Sequence, residues 1–136
     1  MPMKGNMHSP RTIFLFGEAQ SGDYRMPTVC PSLEELLRVF GQPPQGTEGI
    51  AYAIQTLLFK RDLIFFRVAE EGFSLEDYML GIRMLRKREI PRKLSAICMP
   101  GVGDATIIDA ATCVCHLYHS HLILTEKDLY DYLTLS

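Results

Sequence analysis

The chain has 136 residues, 47% of them hydrophobic and 22% charged, which is the balance of a single ordinary globular domain. Fourteen Lys and Arg against sixteen Asp and Glu give a net charge of −2, which provides no positive field for holding phosphate backbones and argues against a nucleic acid partner. No apolar run reaches the roughly 18 residues that a membrane-spanning helix needs, and residues 1–10 lack the apolar stretch of a signal peptide. We therefore expect a soluble, cytoplasmic domain over residues 11–136, a flexible N-terminus over residues 1–10, and no membrane partner.

The first predicted element is a buried strand. Residues 12–16 form a continuous apolar run that ends at Gly17, which is typical of a strand in the middle of a sheet. The connection from there to Pro31 is rich in Gly, Pro and polar residues. It is interrupted by Thr28-Val29-Cys30, which predicts one short edge strand.

Two helices are predicted next. Ser32 followed by Glu35 matches a capping box, and the apolar spacing of the next residues predicts a helix that ends at Gly41. A second helix is predicted to open at Thr47 and to lead into a buried strand over residues 63–68. The side chains expected to point inward from the second helix are Ile50, Ile54, Leu57 and Leu58.

The second half continues the alternation of helices and strands. Ser74 is expected to open a third helix, residues 94–99 form a third apolar strand, and a fourth helix follows over residues 105–118. Residues 121–124 predict a fourth strand, and Thr125 caps a last helix. This order predicts a three-layer α/β fold with a mostly parallel sheet of four to five strands and helices on both faces.

Cysteine and histidine residues cluster near the end of the fourth helix. Cys113 and Cys115 lie close to His116, His119 and His121, which raises the question of a metal site. Positions two apart on a helix point about 200° apart, so the two thiols cannot share one ion. We expect no metal, no cofactor and no disulfide framework.

Carboxylates at the carboxyl ends of the strands offer an enzymatic alternative. Glu18, Asp104 and Asp128 follow predicted strands, where converging carboxylates could hold a divalent cation for phosphodiester hydrolysis. Residues 103–111 and 124–129 resemble the second half of PIN-type nucleases. That family has an Asp at the end of its first strand, where this chain has Gly17-Glu18. Asp104 and Asp128 are also explained as helix caps.

Other catalytic patterns are incomplete. Gly101-Val102-Gly103 precedes a helix, but neither the third glycine of a dinucleotide fingerprint nor the Gly-Lys-Ser/Thr of a P-loop is present. No Ser-His-Asp or Cys-His order is visible either. The residues by themselves therefore show no complete catalytic set.

Basic residues crowd the end of the third helix. They complement the helix dipole, and they are also a candidate contact for an acidic surface. The candidate contact residues are Arg86, Lys87 and Arg88 on the basic side, with Glu70 and Glu71 or residues 128–131 on the acidic side.

The order of these motifs resembles the core of contractile tail sheath proteins, which stack around a tail tube in phages and related injection machines. The matching segments are a first strand over residues 12–19, Pro27 before a short strand, a capped helix ending in Phe40-Gly41, and the strand over residues 63–68. In the second half, a helix containing Gly81 precedes a strand that runs into Pro100-Gly101.

This resemblance covers about residues 11–125 and implies a non-catalytic structural protein that acts by protein–protein association. Its expected partners are copies of itself or related tail-type assembly proteins. Family members usually have a longer N-terminal extension and C-terminal arms that add strands to neighbouring subunits, and this chain stops at Ser136. Without such arms we expect only a weak homo-oligomer.

Overall fold

The computed structural model describes residues 11–135, and the flexible N-terminus predicted over residues 1–10 lies outside this range. Five strands form one sheet in the order β2-β3-β1-β4-β5. The strands are β1 (Thr12–Gly17), β2 (Thr28–Cys30), β3 (Asp62–Arg67), β4 (Leu94–Cys98) and β5 (His121–Ile123). The helices are α1 (Leu33–Phe40), α2 (Gly49–Leu58), α3 (Leu75–Arg86), α4 (Ala105–Tyr118) and α5 (Glu126–Leu133).

The sheet is parallel except at one edge. β1 pairs in parallel with β3 and with β4, and β4 pairs in parallel with β5. β2 pairs antiparallel with β3 and is the short edge strand that the sequence predicts. The predicted three-layer α/β class with a mostly parallel sheet is confirmed.

Two separate cores cover the two faces of the sheet, because alternate residues of each buried strand point to opposite sides. Ile13 and Leu15 of β1 pack on one face with residues of α1, α2 and α5. Phe14 and Phe16 pack on the other face with residues of α3 and α4. A strand that is buried on both faces needs apolar side chains at consecutive positions, which explains the continuous apolar run in β1.

Local capping signals are confirmed in part. The Ser32 hydroxyl accepts the Glu35 amide at 3.1 Å, but the Glu35 carboxylate pairs with Arg38 and does not complete the box. Thr125 and Asp128 form a complete capping box at the start of α5.

Three expectations for α2 and α3 need correction. α2 begins at Gly49, not at Thr47, because the Thr47 hydroxyl donates to the Pro44 carbonyl in the preceding turn. Leu58, expected to face inward, is exposed at the last position of that helix. Ser74 precedes α3, but its hydroxyl bonds to the backbone of Glu70 and does not cap the helix.

Candidate functional site

The candidate site is the carboxyl edge of the sheet between β1 and β4. β1 lies between β3 and β4, and the chain passes from β1 to β3 over one face of the sheet and from β3 to β4 over the other. In open α/β sheets such a switch in direction leaves a crevice at the carboxyl ends of the strands, where ligands bind. The residues that line or fill this crevice therefore decide what the fold can do.

Glu71, in the loop after β3, occupies the N-terminus of α2. Its carboxylate accepts hydrogen bonds from the amides of Glu48 at 2.7 Å, Gly49 at 3.1 Å and Glu18 at 3.0 Å. Glu48 is the N-cap residue of α2, and its own side chain makes no capping bond. The first amides of a helix need acceptors from outside the helix, and here a residue 22 positions further along the chain supplies them.

Glu18 binds the same loop in return. Its carboxylate accepts the amide of Glu71 at 2.9 Å, so the loops after β1 and β3 are joined by two reciprocal hydrogen bonds. The backbone of α2 comes close enough for this because two glycines face each other. A Cβ at Gly49 would lie 2.7 Å from Glu71 Oε1 and 2.9 Å from the Cα of Gly17.

Burial raises the pKa of the Glu71 carboxyl group, and the nearby charge of Glu18 raises it further. The hydrogen bonds from the amides of Glu48, Glu18 and Gly49 act in the opposite direction. A carboxyl group with a raised pKa is a common feature of general acids. Both oxygens of Glu71 already accept amides, so the group serves here to join the two loops to the helix.

Gly72 closes the crevice from the side of β3. It adopts a φ of +88°, and a Cβ there would lie 2.6 Å from the carbonyl oxygen of Gly101. Its amide donates to the hydroxyl of Tyr78 at 2.7 Å, and Tyr78 is fully buried. The loop after β3 thus packs directly on the loop after β4, across the end of β1.

The long connection after β1 is fixed by two side chains that sequence reasoning missed. The Arg67 guanidinium donates to the carbonyls of Gly22 at 2.6 Å and Ala19 at 2.9 Å and lies 3.9 Å from the centre of the Tyr24 ring. Asp77 accepts the amide of Ala69 at 2.8 Å and pairs with Arg25 at 3.6 Å. The sequence signal for Asp77 was the acidic first turn of α3, which also fits an ordinary helix start.

The three carboxylates of the nuclease alternative each have a partner within the fold. Asp104 caps α4 by accepting the Ile107 amide at 3.1 Å, and Asp128 belongs to the capping box of α5. Glu18 binds the amide of Glu71. Over residues 11–135, no three His, Cys, Asp or Glu side chains are grouped so that they could hold a metal ion.

The candidate contact residues lie at opposite edges of the sheet. Arg86, Lys87 and Arg88 are exposed at the end of α3, which is at the amino edge. Glu70 is exposed at the carboxyl edge, whereas Glu71 is half-buried and turned towards α2. Of the two residues expected to form an acidic patch, only Glu70 is exposed, because the Glu71 carboxylate binds the amides at the start of α2.

The thiols of α4 diverge as the helical spacing predicts. Cys113 is exposed and Cys115 is buried, and all four cysteines are free. Cys115, His116 and His119 border a shallow cavity of about 280 Å³ beside β5. Burial raises the pKa of the Cys115 thiol, so Cys115 is a poor metal ligand near neutral pH.

No helix among the described residues is both long and apolar enough to cross a membrane. No family model, no curated protein and no solved structure matches this chain.

Proposed function

We propose that this chain is a non-catalytic assembly module that acts through protein–protein association, of the type found in the core of contractile tail sheath subunits. The observation that carries the proposal is the closure of the carboxyl edge. The Glu71 carboxylate takes the N-terminus of α2, and Gly72 packs on Gly101 where a substrate would bind.

The order of the elements supports the sheath type in particular. The resemblance rests on a central first strand, a short strand after Pro27, a capped helix ending in Phe40-Gly41 and a second buried strand. β1, β2, α1 and β3 take these positions in the fold. Subunits of this type work by contacts between different surfaces of successive copies, which build rings or open helical arrays.

Sedimentation velocity over a range of protein concentrations, with negative-stain electron microscopy of the same samples, tests the proposal. We expect association that grows with concentration and ring-like or stacked particles in the images. A monomer at every concentration would contradict the proposal.

RNA cleavage in the presence of Mn²⁺, assayed on the same preparations, tests the nuclease alternative. Asp104→Asn retains a good capping side chain, so it should leave α4 intact. Asp109→Asn, at an exposed position of the same helix, is the matched control. We expect no cleavage by any of the three proteins. Metal-dependent cleavage that is lost in Asp104→Asn and kept in Asp109→Asn would replace the assembly function with a nuclease.

A further inference from the structure

Charge is divided between the two edges of the sheet. The eleven positions at the end of α3 and in the loop before β4, at the amino edge, hold one exposed acidic residue, Glu89, and six exposed basic residues. We call them the amino-edge basic cluster: Arg83, Arg86, Lys87, Arg88, Arg92 and Lys93.

Helix stabilisation does not require so many charges. The carboxyl end of a helix carries about half a negative charge, which one or two basic residues offset. Arg88 additionally lies over the ring of Tyr118, 5.3 Å from its centre. None of the six forms an ion pair within residues 11–135, whereas Arg25, Arg38 and Lys127 all do.

Exposed acidic residues collect at the opposite edge, around the N-termini of α2 to α5. We call them the carboxyl-edge acidic cluster: Glu48, Glu70, Glu76, Asp104, Glu126 and Asp128. Two basic side chains at this edge pair with other carboxylates, Arg25 with Asp77 and Lys127 with Asp131. None of the six residues of the acidic cluster forms an ion pair in the part of the chain that the structure describes.

The two clusters face away from each other along the strand direction. Glu76 lies in the first turn of α3 and Arg86 is its last residue, which separates them by about 15 Å along the helix axis. One copy of the domain cannot bring its own clusters together, but the acidic edge of one copy can meet the basic edge of the next. Such a contact joins two different surfaces of successive copies head to tail, whereas a two-fold dimer joins the same surface of both copies.

We infer that the amino-edge basic cluster binds the carboxyl-edge acidic cluster of a second copy of this chain, so that copies stack along the strand direction. This inference rests on the proposed assembly function and names the surface that it uses. A net charge of −2 with a complementary patch on the same molecule favours a second copy over a nucleic acid.

Charge-swap variants test the inference. Arg86→Glu/Arg88→Glu lowers the charge of the amino-edge basic cluster from +6 to +2, and Glu70→Lys/Glu76→Lys lowers the charge of the carboxyl-edge acidic cluster from −6 to −2. Each variant alone should associate about tenfold or more weakly than the wild type, because several exposed charge pairs become repulsive. An equimolar mixture of the two variants should regain association in pairs, because the unchanged acidic edge of the first variant meets the unchanged basic edge of the second.

Sedimentation velocity is the measurement, at about 0.01 M and about 1 M salt, where the Debye length is about 30 Å and about 3 Å. Wild-type association should be lost at high salt, and unchanged melting temperatures would show that the variants fold. Association that neither variant weakens would overturn this inference while leaving the assembly function standing. A wild-type monomer under all conditions would overturn both. Salt-sensitive binding of labelled single-stranded RNA that Arg86→Glu/Arg88→Glu removes, without self-association, would assign the basic cluster to a polyanion instead.

Discussion

Glu71 is the residue on which the closed carboxyl edge depends. Its carboxylate serves amides from three residues, Glu18, Glu48 and Gly49, and two of these belong to the start of α2. A buried amide that loses its acceptor costs about 1–3 kcal/mol, and the amides of Glu18 and Gly49 are partly buried here. The Glu71 side chain therefore joins the loops after β1 and β3 to the N-terminus of α2.

Replacing Glu71 with Ala should lower the free energy of unfolding by about 1–3 kcal/mol, because the amides at the start of α2 lose their acceptor. Glu70→Ala is the matched control, since Glu70 is the neighbouring exposed residue, and it should change the free energy by less than about 0.5 kcal/mol. Urea unfolding measures both. Equal effects of the two variants would show that the Glu71 contacts add no stability.

The four cysteines differ in burial: Cys30, Cys98 and Cys115 are buried and one thiol is exposed. Burial raises the pKa of Cys30 to about 11 and also raises the pKa of the thiols of Cys98 and Cys115. Cys113 is exposed on α4. Because the thiolate is the reactive form, the three buried thiols should react slowly in the folded protein.

Iodoacetamide at mildly alkaline pH should therefore label Cys113 first, and mass spectrometry of tryptic peptides would identify the site. Cys113→Ser should leave the native protein almost unlabelled, and urea should expose all four thiols of the wild type. Rapid native labelling of Cys30 or Cys98 would mean that the sheet opens far more readily than its burial indicates.

Among the helices and strands, α3 packs closely on the sheet at Gly81, which faces the aromatic rings of the sheet. A Cβ at Gly81 would be 2.5 Å from Phe16 Cε2 and 3.2 Å from Phe66 Cε1. The ring of Tyr78, one turn earlier, stacks on Phe16 with 5.1 Å between the ring centres. The absence of a side chain at Gly81 is what allows the helix and the aromatic rings to pack.

Gly81→Ala should destabilise the protein by about 1 kcal/mol. In an exposed helix the change would add about 1 kcal/mol of stability, but here a methyl group forced against two rings costs about 1–3 kcal/mol. Gly103→Ala is the control, since no atom lies within 4 Å of a Cβ built at that position. Thermal or urea unfolding distinguishes the two. A stabilised Gly81→Ala protein would mean that α3 can move away from the sheet at little cost.

At the scale of the whole molecule, one sheet separates two cores that share only its strands. Ile50 of α2 is fully buried on one side, and Ile82 of α3 is fully buried on the other. Unfolding of a domain of this size is usually a single cooperative transition. Substitutions on the two faces of the sheet should therefore lower the free energy of the same unfolding transition, and their effects should be additive.

Ile50→Val and Ile82→Val should each lower the free energy of unfolding by about 0.5–1.5 kcal/mol. The double variant should lose the sum to within about 0.5 kcal/mol, because the two sites have no shared partner across the sheet. Urea unfolding followed by fluorescence and circular dichroism is the measurement. Two transitions in the double variant would show that the layers unfold separately.

Patterns that are local in sequence predicted most of the elements. Continuous apolar runs predicted the strands β1, β3 and β4, because strands buried on both faces must be apolar throughout. The signals at Ser32 and Thr125 predicted the starts of α1 and α5, because a cap bonds amides only three residues away. The weaker start of α2 was misplaced at Thr47, where a turn hydrogen bond competes with capping.

Residue patterns were enough to predict the class of fold, the strands and most helix starts, since these depend on neighbours within a few residues. The place of β1 between β3 and β4, and the closing of the crevice between β1 and β4 by the loop after β3, depend on contacts between distant parts of the chain. The bonds that do this join residues 22 to 53 positions apart, such as Glu71 with Gly49 and with Glu18. An acidic residue after a strand looks the same in sequence whether it faces solvent, like Glu70, or caps a distant helix, like Glu71. Which of these it does is decided by the glycine contacts that let the loop and the helix approach each other.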